Sequence, residues 1–336
     1  MLARVAEALY WTARNLERAD NVGRMLEMTH ALALDTLGDP AGPDVWMPPI
    51  VATGDAEVFR EHHLRASERS VVWFLTFSEV NGNSLRACIN RARQNARGVR
   101  DALPPDVWEE ISVLSRAVNQ WTPRRLAHDG VFPLCRVVRR GLHQIEGSVD
   151  AEMMRGAAWH FLRIGRFLER ASTAARLLEA RWRVAGSRSV TLHREVPPDE
   201  WRALVGAAVT PSLLMAASPG ALTVESAVRL LVQDERFPRS VRYALDRVED
   251  SLLELEAMGA SGRGVTGRGM VADARHRVEQ LDPLPIGPQL TDLLDEIQER
   301  CNLIGSHIAA CFFDYPHDDP TGHDRQRPQA ARQAQN

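Results

Sequence analysis

The chain has 336 residues, 44 % hydrophobic and 25 % charged, the balance of a soluble globular protein long enough to bury a sizeable core. Its formal net charge of −3 gives no reason to expect nucleic acid or an anionic membrane as a partner. All 41 basic residues are arginines, so Schiff-base lysines and Walker-type phosphate lysines are excluded, and any anion must be held by arginine or backbone N–H groups.

Residues 2 to about 35 hold no proline and one glycine, and Leu2, Leu9, Leu16 and Gly23 recur every seven positions, which predicts one long, closely packed helix. The four prolines of "GDPAGPDVWMPPIVATGD" predict a loop over 38–55. Short helices are expected near 55–62 and 67–79, and a longer one from the N-cap residue Ser84 to Leu103. "PPDVWEEISVLSRAVNQW" restarts a helix at 105 with proline in its first turn, "TPRRLAHDGVFP" interrupts, and another helix covers 132–150. A further long helix is predicted over 152–185, followed by a loop, "AGSRSVTLHREVPPDE", in which "SRSVTLHREV" is the only strand-like stretch. Helices then follow near 198–207, 222–234, 238–258, 269–281 and 287–314, and the polar, proline-containing residues 316–336 read as a disordered tail. The fold class is all-α, a multi-helix bundle.

The two long helices share a spelling. "RNLERADNVGRMLE" (14–27) returns 152 positions later as "RFLERASTAARLLE" (166–179), so that Arg14, Glu17, Arg18 and Arg24 match Arg166, Glu169, Arg170 and Arg176. "SEVNGNSLRACINRA" and "DERFPRSVRYALDRV" match at an offset of 156, pairing Ser84 with Ser240 and Arg86 with Arg242. Two matches in the same order point to an internal duplication: a first half over 1–150 and a second over 151–315, packed as one domain about a pseudo-twofold axis.

At 100° per residue Tyr10, Arg14, Glu17, Asn21, Arg24 and Met28 share one sector of the first helix, and Arg166, Glu169, Thr173 and Arg176 the equivalent sector of the second. Each glutamate lies between two arginines of its own helix, within reach of charge-assisted hydrogen bonds. Three readings stay open: a buried network that fixes how the halves dock, a pocket in which arginines hold a carboxylate or phosphate while Glu17 or Glu169 moves a proton, or an exposed salt-bridged helix.

Other signals are weak. "EMTH" (27–30) is half of a di-iron motif, but the second copy reads "EARW"; "GRGVTG" (262–267) follows a helical segment where a dinucleotide fingerprint needs a strand; His62 and His63 read as a surface cluster. Cys88, Cys135, Cys301 and Cys311 lack metal or redox spacing and are expected as buried, reduced thiols. The N-terminus lacks a signal-peptide core and no apolar run reaches the roughly 18 residues of a membrane span, so a cytoplasmic protein with no cofactor, metal or membrane partner is expected.

From "MLARVAEALYWTARNLERADNVGRMLE" onward the sequence resembles the bacterial alpha-E domain family, all-helical proteins with a helix-borne Glu-Arg motif, here Glu17-Arg18 and again Glu169-Arg170. The likeness continues through "FLTFSEVNGNSLRACINRARQNARGVRD", where Asn95 and Arg97 match the family while Gly82 replaces a proline and Gln94 a glutamate, and through "FPRSVRYAL"; it covers about residues 1–315. The resemblance implies a setting rather than a reaction. Such proteins are encoded beside, or fused to, a circularly permuted ATP-grasp amide ligase, often near a transglutaminase-like protease. That makes the ligase the expected partner, with a peptide or carboxylate compound as the bound substrate. An enzyme acting on an acyl or peptidyl group at Glu17 or Glu169 and a purely structural scaffold are the alternatives.

Overall fold

The computed structural model describes residues 1–35, 45–192, 224–259, 265–282 and 288–313; of 181, 183–192, 224, 265–266 and 288 it describes the backbone only. All regular structure among these residues is helical. In chain order the helices are α1 (Ala3–Asp35), α2 (Met47–Thr53), α3 (Ala56–His62), α4 (Glu68–Thr76), α5 (Leu85–Gly98), α6 (Pro105–Asn119), α7 (Pro123–Asp129), α8 (Val131–Glu152), α9 (Ala157–Leu192), α10 (Val224–Val228, continued by a π-turn at Arg229–Gln233), α11 (Val241–Ala257), α12 (Val265–Glu279) and α13 (Pro288–Phe312).

Four expectations need correction. Residues 47–53 are helical despite their prolines, because Pro48 and Pro49 occupy the first turn, where no intrahelical N–H bond is lost; Gly54, at φ 81°, then ends α2 by donating its N–H to Ile50 and Val51. "TPRRLAHDGVFP" contains α7 by the same logic, with Pro123 in the first turn and the Thr122 hydroxyl accepting from the Arg125 N–H. The strand-like stretch continues α9 as far as Leu192, because β-branched Val190 and Thr191 lower helix propensity only slightly in a helix already under way, and α12 begins at Val265, inside the glycine-rich motif. Residues 193–223, which include the helix expected at 198–207, and the tail from 316 lie outside the described residues.

The centre of the bundle is the pair α1 and α9, which pack along one another more extensively than any other two helices. They run side by side in the same direction, because every contact keeps nearly the same offset: Tyr10 meets Gly165, Glu17 meets Arg170, and Asn21 and Arg24 share a cavity with Thr173 and Leu177. Around this pair the helices follow a parallel packing order. α1 packs on α5 and α8, and α6 on both of those; α9 packs on α11 and α13, and α12 on both of those. α2 closes against α9.

Packing is tightest at the α1–α9 crossing. Leu9, Ala19, Val22 and Leu26 of α1 and Ile164, Leu168, Ala171 and Leu178 of α9 are fully buried, whereas Leu2, first of the seven-residue stripe, is exposed at the frayed end. Gly165 marks the closest approach, where a Cβ would lie 2.3 Å from the Tyr10 carbonyl oxygen. Gly305 brings α13 onto Tyr10 and Arg14 in the same way, with less severe crowding. The matched serines are both N-caps: Ser84 accepts from the Ala87 N–H on α5 and Ser240 from the Tyr243 N–H on α11.

Candidate functional site

The two Glu-Arg motifs meet at the α1–α9 crossing and pair reciprocally. Arg170 donates from Nε and Nη2 to the two carboxylate oxygens of Glu17, both at 2.7 Å. Arg18 donates from Nε to Glu169 Oε1 at 2.7 Å and from Nη2 to Oε2 at 3.1 Å. The intrahelical pairing expected from spacing does not form at either glutamate. Once two helices touch along this face, a carboxylate pointing across the seam meets a planar guanidinium in fork-to-fork geometry, which a neighbour on its own helix does not offer.

Further side chains complete the network. Arg14 gives Glu169 a second cation at 2.7 Å and donates from Nη1 to the Tyr10 hydroxyl at 2.9 Å. Arg239, at the entrance of α11, approaches Glu17 at 3.6 Å and bonds Asp20, which also accepts from Arg24 at 2.7 Å. Arg18 reaches Asn83, which donates to Asp55 at 2.8 Å. Arg170 also donates to the Pro238 carbonyl, and Glu146 sits 3.4 Å from Arg166 and 3.7 Å from Arg170.

Glu17 and Glu169 are 3 % and 4 % exposed, so these charges are desolvated and must be compensated inside the protein. Burial pushes the Glu169 carboxyl up, but the guanidinium groups of Arg18 and Arg14 outweigh it and hold the group well below the usual carboxylate range. Burial likewise opposes the Asp20 charge, yet Arg239 and Arg24 bring it down to about 2. A carboxylate this acidic is a poor proton acceptor near neutral pH. Because the folded Asp20 lies below its unfolded value of 3.8, its contribution is complete above that value and lost as pH falls through about 2. The expected result is about 2 kcal/mol of stability lost between pH 4 and pH 2 from this group, measured as a urea-midpoint slope that is shallower in Asp20→Asn.

The other candidates separate. Arg166 turns away from Glu17 toward Glu146, so the two motif arginines that match by position differ in role. Arg176 is largely buried beside Gly54 and makes no hydrogen bond or ion pair with the described residues; burial lowers it, with Glu169 acting in the opposite sense. Ser84 and Ser240 serve as caps. Arg86 bonds the Trp121 carbonyl and stacks on Phe77, Arg242 pairs with Glu235 and Glu279, Asn95 is half-buried and Arg97 exposed, so none of these four joins the seam. Asp20, Asp55, Asn83, Glu146 and Arg239 were not singled out by sequence. Asn83 and Arg239 did carry a signal, since each immediately precedes one of the matched caps.

Two cavities flank the network. One of about 60 Å³, between α1, α6, α8 and α9, is lined by Leu16, Ile111, Leu142 and Leu162 and reaches Glu17 and Asp20, whose Oδ1 has no hydrogen-bond partner. The other, of about 20 Å³, is lined by Asn21, Arg24, Met25, Arg170, Thr173, Ala174, Leu177 and Arg239. No cluster of three or more metal-ligating side chains occurs among the described residues; Glu27 and His30 of "EMTH" pair with Arg139 and Glu68 instead. Cys88, Cys135 and Cys301 are buried free thiols, while Cys311 is half-buried with its Sγ 3.2 Å from His307 Nε2, a contact that their four-residue spacing on α13 allows. No described helix is long and apolar enough to cross a membrane.

Fold and site together define an all-helical bundle whose two central helices are joined by buried, reciprocal Glu-Arg pairs. A family described as a predicted alpha-helical domain with a conserved ER motif matches residues 1–313, and the chain belongs to this family, Alpha-E. Relatives include a protein of Mycobacterium bovis and one from each of two strains of Mycobacterium tuberculosis, all named as uncharacterised. Each is 25 % identical over 282 residues, covering 77 % of this chain and 30 % of the relative. The chain thus spans about a third of the length of these relatives. No solved structure matches.

Proposed function

We propose that this chain is a helical binding partner of an ATP-grasp amide ligase, holding a carboxylate-bearing peptide, the ligase or both through the arginine side of its central seam. The observation that carries this reading is the state of the Glu-Arg motifs. Both glutamates are saturated by arginines, whereas Arg24 and Arg176 retain guanidinium donors with no partner among the described residues. Unspent donors suit recognition of an anion, and spent carboxylates suit neither base nor nucleophile. The length of the relatives supports a partnership, since in them the matching unit belongs to a much longer polypeptide. The similar packing around α1 and α9 supports descent of the two halves from one helical unit by duplication.

Mixed with the circularly permuted ATP-grasp ligase of the same genome at micromolar concentration, the protein is expected to co-elute on size exclusion as a stoichiometric complex. Separate elution both with and without ATP and a peptide would sink the proposal. A second reading, transfer or hydrolysis of an acyl or peptidyl group beside Glu17, has one observation in its favour, the 60 Å³ cleft with its unpartnered Asp20 oxygen. Unchanged product yield from a complex carrying Asp20→Asn would count against it.

A further inference from the structure

The smaller cavity combines polar and apolar walls in a way that fits one ligand class. Its polar side consists of Arg24, Arg170, Arg239, Asn21 and Thr173, and Met25, Ala174 and Leu177 supply the rest. Asn21 is 7 % exposed; its Oδ1 accepts from Arg239 at 3.3 Å, which leaves Nδ2 as a buried donor with no partner. Arg24 spends Nε on Asp20, and neither its terminal nitrogens nor the Thr173 hydroxyl bond any described atom. The cavity therefore gathers more donors than the protein uses, and an unpaired buried donor carries a desolvation cost that an acceptor would relieve.

The charges point the same way. The ion pairs that run from Arg24 through Asp20, Arg239, Glu17, Arg170 and Glu146 to Arg166 connect four guanidinium groups with three carboxylates, which leaves one positive charge. The cavity, of about 20 Å³, is not enclosed, so the polar end of a ligand can enter it while the rest follows the wall outward. A carboxylate is planar, carries the single negative charge that is missing, and can trail an aliphatic stem along Met25 and Leu177.

We propose that this cavity binds one carboxylate group on a short aliphatic stem, with Arg24, Asn21 and Thr173 as the donors and the apolar wall receiving the stem. The proposal deepens the binding reading above by naming the group recognised. In an amide-forming setting the carboxylate belongs to a peptide C-terminus or an acidic side chain.

The test uses the isolated full chain, so failure of the ligase complex leaves it standing. Carbon-13-labelled propionate is titrated at constant ionic strength against chloride and inorganic phosphate, with occupancy read by NMR. Saturable binding of one propionate per chain is expected, weakened about tenfold or more in Arg24→Gln, as loss of a charge-assisted bond implies. Thr173→Val, which removes a hydroxyl that bonds no described atom, is expected to fold as the parent does and to bind a few-fold more weakly. Absence of saturation, equal competition by phosphate, an adventitious ion only, or parent-like affinity in both variants would each overturn the assignment.

Discussion

Replacing Glu169 with glutamine lowers the free energy of unfolding by about 3–5 kcal/mol, the range for breaking a buried pair from one side. The substitution keeps the shape of the side chain and removes its charge. Arg14 and Arg18, with side chains 13 % and 17 % exposed, then face each other across a neutral amide. An amide accepts hydrogen bonds through one oxygen, whereas the carboxylate accepts from both arginines through two. The measurement is a urea titration followed by far-ultraviolet circular dichroism, with Glu225→Gln as control. Glu225 makes an exposed pair with Arg229 on α10, and its loss is expected to leave the midpoint nearly unchanged. A loss below about 1 kcal/mol in Glu169→Gln would show that solvent reaches the seam and that the motif does not clamp the helices.

Gly165→Ala is expected to destabilise by about 3 kcal/mol, at the upper end of the range for overpacking. The added methyl would stand 2.3 Å from the Tyr10 carbonyl oxygen and 3.1 Å from its carbon, all backbone atoms held by α1. No rotamer change relieves that contact, so the helices themselves must separate, and with them the Glu-Arg forks, whose α9 residues Glu169 and Arg170 lie four and five positions further along. Gly141→Ala on α8 provides the contrast. There the crowded neighbour, at 2.8 Å, is Cδ1 of Leu114, the far end of a flexible side chain that can turn aside. Similar losses at the two glycines would refute backbone contact as the distinguishing cause.

Sequence patterning made the helices legible because hydrophobic periodicity and N-cap residues are local: α1, α6, α11 and α13 lie within a few residues of their expected ends. α2 and α7 were hidden because proline reads as a breaker unless its place in the first turn is known. The seam was half legible. The repeated Glu-Arg spelling identified the residues, but spacing along one helix favours intrahelical partners, and of the described ion pairs in the seam only Arg24 with Asp20 took that course. That Glu17 would choose Arg170 depends on the crossing of α1 with α9, which Gly165 sets and which no local pattern encodes. Asp20 and Arg239 stayed unread for the same reason: 219 positions apart, they meet only through the packing of α11 on α9.

The reciprocity of the two forks has a consequence for assembly. Glu17 with Arg18 forms a surface that Glu169 with Arg170 satisfies, and the two surfaces have the same spelling. Such a dipeptide on a helix is its own complement: two identical copies placed side by side, pointing the same way, form both forks and leave neither residue over. A half-length chain bearing one copy would therefore carry the adhesive and its target together, and could meet its twin in the register that α1 and α9 keep. Covalent linkage of α1 to α9 then supplies proximity, and the close approach at Gly165 sets the register in which the two dipeptides meet.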